Sequence, residues 1–300
     1  LWTVTPLSQN PTSPGQGALA LEIRKDNKEL SEIIKKISDP LTMYCVEEER
    51  KILKKYGGGC HQKIGVSYFP TFFGMMKAEK GEMDSGEKFY SWKWQKDKIK
   101  INQKITIDML YPKTLKDYHI FKRKEISESI EVINNIQKHC IWIARKSSLP
   151  IKAKISSSNV IWTSGTKTWK SLAERGIWIN GTSDGMGEDF NPNITNLVDF
   201  SWVKLTHNLA PKTTIDKVIA TYKLIELPIK ENLNNKLFFY WMSATAFKYA
   251  LRQNPNIINA NHACGPGNTY KEIKKVIQDS NKLQIVLSYT DWKNNLINLS

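Results

Sequence analysis

Two short stretches in the later part of the sequence repeat one pattern, and they constrain the fold more than anything else in it. Ser164-Gly165-Thr166-Lys167-Thr168-Trp169-Lys170-Ser171-Leu172 aligns with Gly265-Pro266-Gly267-Asn268-Thr269-Tyr270-Lys271-Glu272-Ile273, so that Thr, an aromatic, Lys and an aliphatic residue recur at matching places. Each copy follows a short strand-like run, Val160 to Thr163 and Asn261 to Cys264. A strand that turns through glycine into a helix is the repeating element of α/β sheets. Two copies predict two similar α/β halves facing each other across a cleft.

The surrounding sequence agrees. Ser127 opens a helix carrying Ile130, Ile133 and Ile136, and Cys140 to Ala144 reads as a strand. Trp169 and Leu172 belong to the helix after Thr163. Val218 to Leu224 and Leu237 to Met242 read as strands, a helix runs through Phe247 and Leu251, and a last helix carries Tyr270, Ile273 and Ile277. Residues 113–124 are basic and polar and read as a linker region.

Upstream the pattern changes. Residues 1–24 read as a Pro- and Gly-rich loop feeding a strand, Ala18 to Ile23. Asp26 with Glu29 has capping-box spacing ahead of an amphipathic helix with Leu30, Ile33, Ile34 and Ile37. Asp39-Pro40 opens a second helix that Gly57 ends. Strands follow at Ile64 to Phe69, Phe72 to Ala78 and Phe89 to Trp94, with a turn at Asp84-Ser85-Gly86, and Ile105, Ile107 and Met109 alternate once more. The expected fold class is therefore a small α+β domain (two helices against an antiparallel sheet, 25–112) followed by an α/β two-lobed module, 117–300.

The net charge of +15 predicts attraction to polyanions, either nucleic acid or a small molecule bearing many carboxylates; a merely solvated basic surface is the plain alternative. The two Gly/Thr turns suit the carboxylate reading, because a helix N-terminus offers unpaired N–H groups and a partial positive charge. A capped turn with no ligand has the same spacing, and neither copy is a P-loop. Four widely spaced cysteines (Cys45, Cys60, Cys140, Cys264) form no CxxC pair, which argues against zinc and a disulfide framework and for reduced, cytoplasmic thiols. Five histidines show no metal-ligand spacing, and Asp184, Glu188 and Asp189 lack the spacing of a calcium loop, so no metal is expected. Tyr90-Ser91-Trp92-Lys93-Trp94 fits a half-buried strand or a base-stacking surface. No apolar run is long enough to span a membrane, and no signal peptide is visible. Cys60 follows three glycines between a helix and a strand: a nucleophile, a covalent attachment point or an inert loop thiol.

Pro14-Gly15-Gln16-Gly17-Ala18-Leu19-Ala20-Leu21-Glu22-Ile23-Arg24, then Glu48-Glu49-Arg50, then Gly57-Gly58-Gly59-Cys60-His61-Gln62-Lys63-Ile64-Gly65 resemble the C-terminal part of the hydroxymethylbilane synthase (porphobilinogen deaminase) family. The resemblance covers about residues 13–110. It implies a dipyrromethane cofactor bound through a thioether at Cys60, and it places Gln16 beside the family's active cleft. The family's first two domains have no counterpart here, so residues 1–24 are expected to be the tail or hinge of a missing preceding domain, and deaminase activity is not expected from this chain alone.

From about Asp117 onward the chain is similar to uroporphyrinogen-III synthase. Thr221-Tyr222-Lys223 looks like that family's strand-borne tyrosine, Phe239-Tyr240-Trp241-Met242-Ser243-Ala244 like its strand ending in serine, and Cys264-Gly265-Pro266-Gly267-Asn268-Thr269 like its Gly-Pro turn. These resemblances imply a fragment of a bifunctional tetrapyrrole (haem) biosynthesis protein, part transferase and part cyclising hydro-lyase. It would take hydroxymethylbilane, which bears eight carboxylates, and produce uroporphyrinogen III. Tyr222 would assist departure of the hydroxyl. Ser243, Gly265, Asn268 and Thr269, with Thr166 and Thr168 from the other lobe, would hold carboxylates. The expected partners are this polycarboxylate and the missing deaminase domains, with no nucleic acid and no membrane. A non-catalytic module that binds tetrapyrrole precursors, or a docking remnant, is the alternative.

Overall fold

The computed structural model describes residues 1–58, 63–94, 105–189, 192–211, 213–215 and 217–297. Among them seven α-helices combine with parallel and antiparallel sheets, an α/β protein that divides into two compact units, Thr5–Ile99 and Leu1–Val4 with Lys100–Ser300.

The smaller unit holds α1 (Lys28–Ile37), α2 (Pro40–Lys55), β1 (Ile64–Thr71), β2 (Gly74–Glu82) and β3 (Lys88–Trp94). Asp39 caps α2 by accepting from the Leu41 and Thr42 N–H groups, and Pro40 fills the first position, where its missing N–H costs nothing. The cap of α1 is Asn27, which accepts from Leu30 N–H at 3.1 Å. Asp26 is held by Arg24 at 2.7 Å instead, which corrects the expected capping box. The three strands form an antiparallel meander in the order β1-β2-β3. Ile52 of α2 packs on Ile64 and Val66, but α1 buries no residue, so one helix and not two covers this sheet.

Glu49 is a buried carboxylate in α2, and it accepts the Gly15 and Tyr68 N–H groups at 2.8 Å each. The strap Pro11–Gly15 thereby lies along β1, joined also by Val66 N–H to Thr12 O at 2.8 Å. Ala18 to Ile23 forms no strand: no described strand pairs with it, and Leu19 and Leu21 stand exposed. A strand without a ladder partner leaves its backbone groups to water.

The larger unit contains two sheets. The first has the order β5-β10-β9-β6-β7-β8, built from β5 (Phe121–Glu125), β6 (Cys140–Ile143), β7 (Val160–Thr163), β8 (Gly181–Thr182), β9 (Trp202–His207) and β10 (Lys217–Glu226). All its pairings are parallel except β5 with β10. β6 is buried on both faces, Ile141 and Ile143 on one side and Cys140 and Trp142 on the other, as a parallel sheet between layers requires. The helices α3 (Glu128–Asn134) and α4 (Thr166–Ala173) belong to this lobe.

The second sheet is wholly parallel, in the order β13-β12-β11-β4, from β4 (Leu110–Tyr111), β11 (Phe238–Trp241), β12 (Asn261–Cys264) and β13 (Leu283–Ile285). α5 (Ala244–Gln253) and α6 (Asn268–Lys274) bury Phe247, Ala250 and Ile273 with Phe239 and Trp241. α7 (Tyr289–Ile297) covers the other face with Trp292 and Leu296 against Phe238 and Tyr240. The chain enters the first lobe along β5 and leaves it along β10, so an antiparallel pair of strands joins the lobes. The repeated turns fall one in each lobe, β7 into α4 and β12 into α6.

Some sequence expectations needed revision. Ile105 to Met109 ends in a 3-10 turn, Ile107–Met109, and only Leu110–Tyr111 pairs with β11. The stretch 113–124, expected as linker, includes most of β5. β9, β13 and α7 had no forerunner in the sequence reading.

Candidate anion-binding cleft

The parallel strands of both lobes end around a cavity of about 260 Å³. Arg145 follows β6, His207 ends β9, and Met242 and Ser243 follow β11, while Arg123 and Tyr222 come from the connecting strands β5 and β10. Ligands of open α/β sheets gather at such carboxyl ends, where strands stop and diverging loops leave a crevice.

Tyr222 owes its position to a β-bulge. Ala220 pairs with Thr206 and Tyr222 with His207, leaving Thr221 as the extra residue. Its hydroxyl donates to Thr206 O at 3.2 Å, which satisfies the irregularity from within. Bulges re-aim side chains next to functional sites. Here Tyr222 is 3% exposed, its ring centroid 5.8 Å from that of His207, and its hydroxyl makes no hydrogen bond to a described residue.

The electrostatics are one-sided. Among the described residues no carboxylate lines the cavity, and neither Arg145 nor Arg123 has an ion-pair partner. Burial disfavours the Arg145 charge, Arg123 adds repulsion, and the Tyr222 and Tyr118 hydroxyls oppose both. His207 is pushed down to about 4, first by burial and then by Arg145, Lys204 and Arg123, so it is neutral at pH 7. Its Nδ1 accepts the Leu209 N–H at 3.2 Å. The proton of the neutral ring therefore sits on Nε2, as a donor. Tyr118 Oη accepts the Met242 N–H at 3.3 Å, and burial raises its hydroxyl far above the usual range.

A second cavity, of about 240 Å³, differs in kind. Its cations are already matched: Arg252 with Glu226 and Lys248 with Glu272, each at 2.5 Å.

Tyr222 and Ser243 share the first cavity, and Thr166, Thr168, Gly265, Asn268 and Thr269 do not line it. The Ser243 hydroxyl caps α5, accepting from Ala246 N–H at 3.2 Å. Thr166 and Thr168 lie in the first turns of α4, and Gly265 and Thr269 flank the start of α6. Asn268 is engaged by the opposite lobe: its Nδ2 donates to Glu188 Oε1 at 2.8 Å. Glu188 is itself paired with Lys204 of β9, both almost fully buried, and Lys271 reaches Asp189 at 2.6 Å. Gly267 packs so closely on this loop that a Cβ there would lie 2.9 Å from Met186 C and O. The acidic group considered as a metal loop is thus a clasp between lobes, and among the described residues no cluster of three or more metal-ligating side chains occurs. Gln16 is exposed in the smaller unit, and Cys60 lies outside the described residues. Cys45, Cys140 and Cys264 are buried free thiols. Among the described residues no helix is long and apolar enough to cross a membrane.

Arg123, Arg145 and His207 escaped the sequence analysis. The one available signal was position: Arg145 directly follows an expected strand, where α/β proteins bind ligands.

No family model matches the chain. Curated relatives match one short stretch of it. The porphobilinogen deaminase of Kluyveromyces lactis is 50% identical over 52 residues, 17% of this chain and 16% of the relative. That of Clostridium novyi is 53% identical over 54 residues, 18% of each. That of Oceanobacillus iheyensis is 51% identical over 51 residues, 17% of this chain and 16% of the relative. A segment of the chain is therefore related to porphobilinogen deaminases, while the chain spans less than a fifth of the length of these relatives.

Proposed function

We propose that the chain belongs to tetrapyrrole synthesis and joins two parts: a deaminase-type C-terminal domain, residues 25–112, and a uroporphyrinogen-III synthase-like module, residues 117–300. The deaminase-like motifs run from Pro14 to Gly65, a span of 52 residues, the length over which the Kluyveromyces lactis relative matches. Glu49 supports this part, because it ties Gly15 of the first motif to the strand that begins in the third. Cys60 is the proposed thioether tether for dipyrromethane, which when bound would supply the primer for chain growth. The catalytic residues of the missing deaminase domains would have to come from elsewhere, in cis or in trans.

The observation that carries the second part is the cavity itself: Arg145 just past the end of β6, with Arg123 and the Tyr222 hydroxyl from the connecting strands, between two α/β lobes. Such a cleft suits an acid-bearing ring of a linear tetrapyrrole, with the remaining rings outside the cavity. Binding would hold the two ends of hydroxymethylbilane together, an orientation effect that favours closure after loss of water. Tyr222 Oη would donate a hydrogen bond to the departing hydroxyl, with Arg145 beside it to stabilise developing negative charge. Thr269 and the backbone N–H groups after Gly265 would meet carboxylates once the clasp at Glu188 opens.

The test is a coupled assay in which the chain is fed hydroxymethylbilane and the uroporphyrinogen isomers are separated. The III isomer is expected in excess, and Tyr222→Phe should lower its formation about 100-fold or more. Type I isomer alone, at the spontaneous rate, would sink the synthase reading. An unchanged III-to-I ratio in both Tyr222→Phe and Thr269→Ala would sink the site assignment. Tight binding of hydroxymethylbilane without conversion would support a binding module instead, a reading favoured by the engagement of Asn268 with Glu188.

A further inference from the structure

The cavity is small for the ligand just proposed. At about 260 Å³ it falls below the ~300–1,000 Å³ of pockets that enclose a drug-sized molecule, so four pyrrole rings do not fit. One ring with its acid arms does. Its charge pattern also differs from the rest of the larger unit. Elsewhere in this unit the buried lysines have acidic partners: Lys204 with Glu188 and Lys236 with Glu231. Arg175 is satisfied by the carbonyls of Leu149 and Pro150. Arg145 is partly buried, faces Arg123 and has no acceptor among the described residues. Withdrawing a guanidinium from water towards a like charge is costly unless an anion compensates.

We infer that this cavity is a single-ring subsite: it seats one pyrrole with its carboxylates on Arg145 and Arg123, and His207 Nε2–H supplies a neutral third donor. The inference rests on the tetrapyrrole reading above and assigns to it a ligand, a dicarboxylate monopyrrole, and three residues. The neutral donor matters for selectivity. A third cation would favour a compact, multiply charged anion such as phosphate, whereas two cations and a neutral N–H match the spread, singly charged carboxylates on a flat ring. The aromatic ring of Tyr222 offers the apolar wall such a ring needs.

Porphobilinogen is the probe, and calorimetric titration of the full chain is the measurement. Saturable binding is expected, with Arg145→Gln at least 10-fold weaker and Arg145→Lys recovering part of the loss. His207→Gln, which keeps a neutral donor, should stay within about 3-fold of the parent, and His207→Phe should not. Unfolding midpoints of the variants separate lost binding from lost folding, and the Lys variant keeps the test informative if the Gln variant does not fold. Equal affinity of the parent and Arg145→Gln would overturn the inference. So would inorganic phosphate displacing porphobilinogen at equal concentration, because the site would then take any anion. These outcomes are independent of the isomer assay: a seat without conversion defeats only the synthase reading, and conversion without a seat defeats only this one.

Discussion

At the scale of single residues, two buried polar groups show how much a fold can hide from its sequence. Glu49 sits within Glu48-Glu49-Arg50, and nothing in that charged run marks the middle residue as the one that turns inward. The structure explains it, because Glu49 accepts two N–H groups that come from segments far apart in the chain. His262 is similar. Trp241 Nε1 donates to its Nδ1 at 3.0 Å and its Nε2 lies 2.9 Å from Ile257 O, a fully bonded neutral imidazole. Burial pushes it down to about 4, from an ordinary value of 6.5. The unfolded chain therefore takes up a proton below about pH 6.5 that the folded chain refuses until about pH 4. Stability from this group is complete above pH 6.5 and is lost as the pH falls towards 4, on the order of 3 kcal/mol in all. The imidazole resonances of His262, followed by NMR, should stay unprotonated down to pH 5. A midpoint near 6.5 would contradict the hydrogen-bond assignment.

At the scale of elements, Gly65 decides whether the strap holds. A Cβ on Gly65 would lie 2.2 Å from Pro11 O, so β1 and the strap approach this closely only because no side chain intervenes. Gly65→Ala should cost the smaller unit roughly 1–3 kcal/mol, the usual penalty of overpacking. Hydrogen exchange at Val66 N–H, bonded to Thr12 O, should rise with it, and unchanged exchange there would refute the contact. Elements with clean local signals were legible beforehand: the Asp39-Pro40 cap, the paired strands around Asp84-Ser85-Gly86, and both strand-turn-helix repeats. β9 was not, because Lys204 interrupts its apolar pattern, and only the pairing with Glu188 makes a buried lysine tolerable. The Ile105 to Met109 alternation misled for the opposite reason. Period-two spacing over three apolar residues is too short to separate a strand from a turn that buries one of them. α1 has a strong amphipathic pattern that the described chain leaves uncovered. The candidate cavity was the least legible feature, since its residues come from separate strand ends and from a bulge that no local pattern announces.

At the scale of the whole molecule, each unit has its own logic, and the larger one depends on the clasp between its lobes. Glu188 and Lys204 are 5% and 4% exposed, whereas Lys271 is 44% exposed. Glu188→Gln strands a buried ammonium and should cost about 3–5 kcal/mol, while Lys271→Ala should cost under about 1 kcal/mol. Urea midpoints of the two variants would decide, and equal losses would show that the clasp is not organised around Glu188. The parallel pairing of Leu110 with Phe238 and Tyr111 with Phe239 has a different consequence, one of timing. Apart from Trp2 and Val4, which pack on it from the start of the chain, the first lobe is translated between those partners. At roughly 5–20 residues per second, β4 waits on the order of ten seconds for β11 to leave the ribosome. During that interval the first lobe can complete most of its local contacts, whereas the second sheet has no nucleus at all. The growing chain thus carries an unmatched strand in front of a maturing lobe, and a pause in translation before Phe238 would prolong the stage at which it is most open to mispairing.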